Sequence, residues 1–203
     1  MPLIEDMERT GGWLFRWRSF LPVFLVPIAL YVAYVDDNLP AFNDLRWLAT
    51  CVGVGFLGLV IRAFTIAYIP KGTSGRNTSE GQVALTLNSK GMYGYIRHPL
   101  YTGNYFMWLG CILMTQSVSI AIIVSLVFAL YYERIMFAEE SFVAGKYGKM
   151  YTDWAADVPA FFPRLSRYRP SARSLNLRKV FRQEVNGLLM LTLVFALFAL
   201  ILE

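Results

Sequence analysis

Apolar residues in this sequence fall into five runs, at about 20–35, 47–69, 99–114, 117–132 and 187–202, with almost no charge inside them. A soluble amphipathic fold would space them at helical or strand period; unbroken runs are how a chain reads when lipid is its solvent. Most of the runs hold only about 16 residues, roughly 25 Å of helix at 1.5 Å per residue, the short end of the spanning range. Buried soluble helices reach this length too, but with 56% hydrophobic and 16% charged residues the chain has too little polar surface to cover five of them. Pro22 and Pro27 in the first run are tolerable in a membrane helix, where neighbours satisfy the freed carbonyls. Only Thr115-Gln116 separates the third and fourth runs, which predicts a tight helical hairpin. The composition excludes a disordered chain, a collagen, a coiled coil and a secreted disulfide scaffold.

Charge sets the expected topology. Seventeen of the 19 lysines and arginines lie in the N-terminal segment, the 70–98 loop and the 133–186 stretch, against Arg46 alone on the opposite side and Arg62 inside the second run. The positive-inside rule makes the basic side cytoplasmic, with the N-terminus inside and the C-terminus outside. Glu5, Asp6 and Glu8, and the lack of a small-residue cleavage site, argue against a signal peptide. The net charge of +5 is divided among loops, which speaks against a nucleic-acid face. Cys51 and Cys111 lie in separate apolar runs without CxxC or Cys/His spacing, so neither a disulfide nor a metal site is expected. The basic stretch 164–185, with Leu175, Leu177, Val180 and Phe181 among its charges, suits a helix lying in the headgroup layer.

Two local patterns invite functional readings and lose them. Gly53-Val54-Gly55-Phe56-Leu57-Gly58 matches a dinucleotide fingerprint but sits in mid-membrane sequence, so it reads as helix packing by small residues. Asn77-Thr78-Ser79 fits a glycosylation sequon but falls on the cytoplasmic side. Arg62 is open to two readings: its long side chain snorkels to the interface, or it pairs with an acidic group or a substrate headgroup within the bundle.

The informative stretches are cytoplasmic. In 91–103, Arg97, the sole histidine His98, and Tyr93, Tyr95 and Tyr101 gather around Pro99, which suits the first position of a helix with free backbone donors. In 133–163, Glu139 and Glu140 are followed by Tyr147-Gly148, Tyr151, Val158-Pro159 and Pro163. Adjacent glutamates point about 100° apart on a helix, so at most one is expected to face a pocket squarely.

Arg97-His98-Pro99-x-Tyr101-x-Gly103 followed by Glu139-Glu140, Tyr147-Gly148, Tyr151 and Val158-Pro159…Pro163 resembles the integral-membrane methyltransferases. That superfamily includes isoprenylcysteine carboxyl methyltransferases and phospholipid N-methyltransferases. The resemblance spans residues 84–163 and implies S-adenosylmethionine enclosed at the cytoplasmic face. It implies cofactor contacts from Leu87, Tyr93, His98, Pro99, Leu100, Tyr101 and Gly103, with Glu139 as the carboxylate that holds the cofactor. Arg97, Arg134 and Glu140 are the candidate catalytic residues. The chain departs from the carboxyl methyltransferases at Leu85, where they tend to have a histidine, and at Ile135, where they have a substrate-facing arginine; here Arg134 is next door.

The expected architecture is therefore an all-α, multi-pass transmembrane bundle of about five spans with a cytoplasmic-face cofactor pocket. One integral-membrane domain, 1–203, would comprise an N-terminal helix pair (20–69), a catalytic core (84–163), the basic interfacial segment (164–185) and a C-terminal span (187–202). The expected reaction is methyl transfer to a lipid or lipidated acceptor, isoprenylcysteine carboxyl O-methyltransferase-like, with phospholipid N-methylation as the alternative. A carboxylate acceptor needs a cation such as Arg97, Arg134 or Arg62 to position it; an amine acceptor needs a base, for which His98 or a glutamate is suited. An NADPH-dependent reductase of the sterol-reductase kind and a non-catalytic membrane adaptor are the competing readings.

Overall fold

The computed structural model describes residues 2–18, 26–28, 30–31, 44–70, 84, 86–164 and 175–202, and among these all regular structure is helical. In chain order the elements are α1 (Leu3–Trp17), α2 (Leu45–Tyr68), a 3-10 turn (Gly91–Gly94), α3 (Pro99–Leu113), α4 (Val118–Tyr147), α5 (Lys149–Asp157) and α6 (Leu177–Leu202). The helix starts follow local chemistry. The Asp44 side chain caps α2 by accepting from Arg46 N at 2.8 Å, and Ser117 caps α4 by accepting from Ile120 N at 3.3 Å. Pro99 opens α3, where a missing N–H costs nothing. Gly148, at φ 53°, ends α4 and turns the chain directly into α5, a backbone conformation that favours a residue without Cβ.

Three helices, α2, α4 and α6, are long and apolar enough to cross a bilayer. Phe56, Phe64, Ile122, Ile123, Leu126, Leu130, Leu189 and Leu193 stand exposed along them. So much outward apolar surface is the mark of a lipid-facing wall, and the chain is an integral-membrane protein. The expected spans are redrawn in detail. The third run gives α3, with 15 residues and a length of about 22 Å, less than a hydrocarbon core needs. The fourth run carries on past Tyr132 into a polar continuation, as expected, giving the 30-residue α4. The hairpin between α3 and α4 forms as expected, with Gln116 at φ 54° in the turn. The first run lies almost wholly outside the described residues, as do the 71–83 loop, Leu85 and residues 165–174.

The basic stretch 164–185 is described only at Arg164 and from Leu175 onward. Its last part, from Leu177, is the first turns of α6 and continues unbroken into the final span. Lys179 Nζ reaches back to the C-terminal end of α2, donating to Ile69 O at 2.9 Å and Ile66 O at 3.2 Å. Those carbonyls have no partner within their own helix, so a lysine there both neutralises the helix end and fastens α6 to α2.

The most extensive helix–helix contact is α2 against α3, and glycines set its spacing. A Cβ on Gly58 would strike Gly103 O, and one on Gly110 would lie 2.5 Å from Gly55 N and 2.6 Å from Cys51 O. The fingerprint-like glycines are thus packing residues, apart from Gly53, which faces open space. Because the obstructing atoms at Gly110 are backbone, Gly110→Val is expected to cost about 1–3 kcal/mol or more by overpacking. Thermal unfolding of the detergent-purified protein checks this, with Gly53→Val expected to melt as wild type does.

α1 is amphipathic. Gly11 and Phe15 seat it on α4, Gly11 against the Arg134 carbonyl and Ala138, and Phe15 in a cluster with Tyr101, Phe128, Tyr132 and Ile135. Leu3, Ile4, Trp13 and Trp17 remain exposed.

Candidate active site

A cavity of about 640 Å³ runs through the bundle, within the range of about 300–1,000 Å³ typical of small-molecule sites. Backbone bonds hold the two motif halves together at its polar end. Arg97 N donates to Pro159 O at 2.9 Å, His98 N to Ala160 O at 3.3 Å, and Arg164 N to Tyr95 O at 3.0 Å, so the segment after α5 lies along the approach to α3. Trp154 Nε1 donates to Tyr93 O at 3.3 Å, and Tyr147 Oη donates to Ala84 O at 2.9 Å. The proline-bounded segment therefore serves to fix where α3 begins.

At that beginning, His98 is buried between two carboxylates. Its Nε2 lies 2.7 Å from Glu140 Oε1, and its Nδ1 lies 3.7 Å from Glu139 Oε2. Tyr101, one turn along α3 and stacked on the His98 ring at 5.6 Å, donates its hydroxyl to Glu139 Oε2 at 2.9 Å. Arg97 Nε sits 3.0 Å from Glu140 Oε1, while its Nη1 donates to Ala155 O at 3.0 Å. Burial, reinforced by the Glu139 charge, holds the Tyr93 phenol above the ordinary tyrosine range. Burial and then the Glu140 charge do the same for Tyr151. Both phenols thus stay protonated as neutral hydrogen-bond donors. The Tyr151 hydroxyl is buried beside the Glu140 carboxylate.

Of the expected site residues, Leu87, Tyr93, Arg97, His98, Leu100, Tyr101, Glu139 and Glu140 line the cavity. Both glutamates do so, although adjacent positions on a helix point about 100° apart. The reason is His98: inserted between them from α3, it offers one ring nitrogen to each side, so the cavity meets α4 over a broad arc. Pro99 and Gly103 are not on the wall. Pro99 is fully buried at the helix start, and Gly103 makes room for Arg62, whose Cγ would lie 2.5 Å from a Cβ there. Arg134 is not on the wall either; its position is about 140° around α4 from Glu139, on the side that carries α1.

Arg62 resolves as a paired residue rather than a snorkelling one. Its Nε and Nη2 donate to Glu184 Oε2 and Oε1 at 2.8 and 2.7 Å, and Nη1 donates to Asn104 Oδ1. Asn104 in turn donates to the Tyr132 hydroxyl at 2.9 Å. Glu184, Asn104, Tyr132, Tyr151 and Trp154 all line the cavity and were not expected there. A signal for Glu184 did exist: it is the one acidic residue between Asp157 and Glu203, and Arg62 is a lone intramembrane cation in need of a partner.

An all-helical membrane protein with a carboxylate-, histidine- and tyrosine-lined cavity is the class these features define. The family model described as phospholipid methyltransferase matches residues 49–150, and the chain belongs to that family. The matched region holds α2, α3 and α4, and with them His98, Tyr101, Glu139 and Glu140. The chain is 31% identical over 160 residues to the nickel-cobalt-cadmium resistance protein NccN of Alcaligenes xylosoxydans xylosoxydans, covering 78% of this chain and 68% of that one. It is 34% identical over 133 residues to the cobalt-zinc-cadmium resistance protein CzcN of Cupriavidus metallidurans, covering 63% of this chain and 58% of that one. No solved structure matches the chain significantly.

Proposed function

We propose that this protein transfers a methyl group from S-adenosylmethionine to a lipid-like acceptor at the cytoplasmic face of the membrane. One observation carries the reading: in a member of this family, His98, Tyr101, Glu139 and Glu140 converge at the polar end of a cavity that turns apolar toward the middle of the bundle. The residues fit the cofactor. Glu139 and Glu140 would accept from its ammonium and hydroxyl groups, and Tyr93, Tyr101 and Trp154 would offer aromatic faces to its adenine and sulfonium. When bound, S-adenosylmethionine supplies a methyl carbon on a sulfonium, which an acceptor lone pair takes by in-line displacement as the carbon–sulfur bond breaks and a neutral thioether leaves. The protein's task is then alignment and exclusion of water. His98, fixed by both carboxylates, orients that end of the cavity; the bilayer-facing helices admit the acceptor sideways. A carboxyl acceptor of the isoprenylcysteine kind needs no base, whereas a phospholipid amine would have to give up a proton to His98 or Glu140.

The test is calorimetric titration of the detergent-purified chain with S-adenosylmethionine, followed by mass spectrometry of membrane extracts incubated with methyl-labelled cofactor. Saturable binding and one labelled lipid-soluble product are expected. A folded protein that binds NADPH and not S-adenosylmethionine would overturn the reading.

The names of the two relatives favour a second, compatible reading, that the protein serves a divalent-metal resistance system. Those names state a resistance and not a reaction. If methyl transfer is the protein's part in it, Glu139→Ala should lower survival of the host in cobalt or cadmium as far as deletion does.

A further inference from the structure

The cavity changes character along its length, and two helices record the change in register. At the start of α3 and along it the lining residues are His98, Leu100 and Tyr101, then Asn104, then Met107, Trp108 and Cys111. On α6 they run Gln183 and Glu184, Asn186 and Gly187, then Met190, Leu191 and Val194. Both series pass from polar to wholly apolar in the same direction. Between the two ends sits the group formed by Arg62, Glu184 and Asn104, about 4.5–9 Å along α3 from Tyr101 and His98. An amphiphile in this cavity would place its headgroup at that level and its chain beyond it.

The pair itself says which headgroup. Glu184 is the hidden partner, its side chain 6% exposed with both oxygens engaged by Arg62; the Arg62 side chain is 21% exposed and lines the cavity. A guanidinium has five N–H donors. Three are spent on Glu184 and Asn104, which leaves one N–H on each Nη for an oxyanion in the cavity to meet. Gly103 lets the arginine stem lie across α3, and Glu184 and Asn104 fix the guanidinium plane. Arg18, Arg62 and Arg97 line the cavity together with Glu139, Glu140 and Glu184.

The geometry points to Arg62, clamped by Glu184 and Asn104, as the seat of a headgroup oxyanion, a carboxylate or a phosphate, on an amphiphilic acceptor whose chain runs toward Cys111 and Val194. This deepens the methyl-transfer reading and rests on it for the word acceptor. Glu184 lies on α6 beyond the family-matched region, whereas Arg62 and Asn104 lie within it.

The experiment uses the full chain in a neutral maltoside detergent and follows quenching of its tryptophan fluorescence by three probes: dodecanoate, dodecyl phosphate and dodecanol. The wild type should bind one of the anions about tenfold more tightly than the alcohol. A stronger response to dodecanoate marks a carboxyl acceptor, and one to dodecyl phosphate a phospholipid. Arg62→Met combined with Glu184→Met replaces the pair by apolar side chains of similar length; it should abolish the preference while still binding S-adenosylmethionine, which shows that the fold is intact. Arg62→Lys, which keeps the charge and loses the fork, should weaken it. Anion preference that is absent in the wild type, or that survives in the double variant, overturns the proposal. An intact preference in a chain that binds no S-adenosylmethionine would instead remove the methyl-transfer reading and leave the oxyanion site standing.

Discussion

Glu139→Ala is expected to weaken S-adenosylmethionine binding by about ten- to hundredfold, the loss of one or two hydrogen bonds to a charged group. The argument rests on what surrounds this carboxylate. It accepts from the Tyr101 hydroxyl, faces His98 Nδ1, and keeps a side chain about a third exposed to the cavity at 31%. A group so placed is anchored on one side and open to a ligand on the other. Glu139→Gln keeps an oxygen for Tyr101 and loses only the charge, so it should fall between alanine and wild type. His98→Ala acts at one remove. It takes away the ring held between both glutamates, leaves Glu140 to Arg97, and lets the two carboxylates drift from the spacing a ligand meets. Titration calorimetry of each variant, with thermal melting to confirm folding, decides the matter. Wild-type affinity in both Glu139→Ala and His98→Ala would remove these residues from the cofactor site.

The polar end of the cavity was legible because its parts are local. His98 and Tyr101 are three apart and so share a face of α3, and Glu139 and Glu140 stand out as part of the motif pair that resembles the membrane methyltransferases. Tyr147-Gly148 belongs to the same motif, and Gly148, at φ 53°, turns the chain from α4 into α5. What stayed hidden depends on tertiary contact. Arg62 and Glu184 are 122 positions apart, and nothing in either neighbourhood says that α6 crosses α2. The start of α6 was missed because hydropathy stops at charge, whereas a helix does not when Lys179 and Glu184 find partners on α2. Arg134 misled for the opposite reason: adjacency in sequence to the Ile135 position hides a large rotation about the helix axis, and Ile135, not Arg134, is the fully buried neighbour.

Arg62→Met alone is expected to destabilise the protein by about 3–5 kcal/mol, because it strands Glu184 as an uncompensated buried charge. Glu184 is 5% exposed, and among the described residues both of its oxygens are bonded only to the Arg62 guanidinium. Glu184→Met should cost less, since the arginine it leaves still has Asn104 and part of its surface open to the cavity. The double variant, with no charge left to strand, should unfold close to wild type, as buried pairs replaced by well-packed apolar residues often do. A denaturation series in detergent on all four proteins forms a double-mutant cycle, in which a coupling of a few kcal/mol is the expected result and strict additivity would contradict it. The cycle separates two roles that one substitution confuses. Loss of stability in the single variants reports the pair as a clamp between α2 and α6, a role shared with Lys179 at the end of α2. Recovery of stability in the double variant without recovery of anion preference would show that the clamp exists to hold Arg62 toward a ligand, since packing alone could have held the helices together.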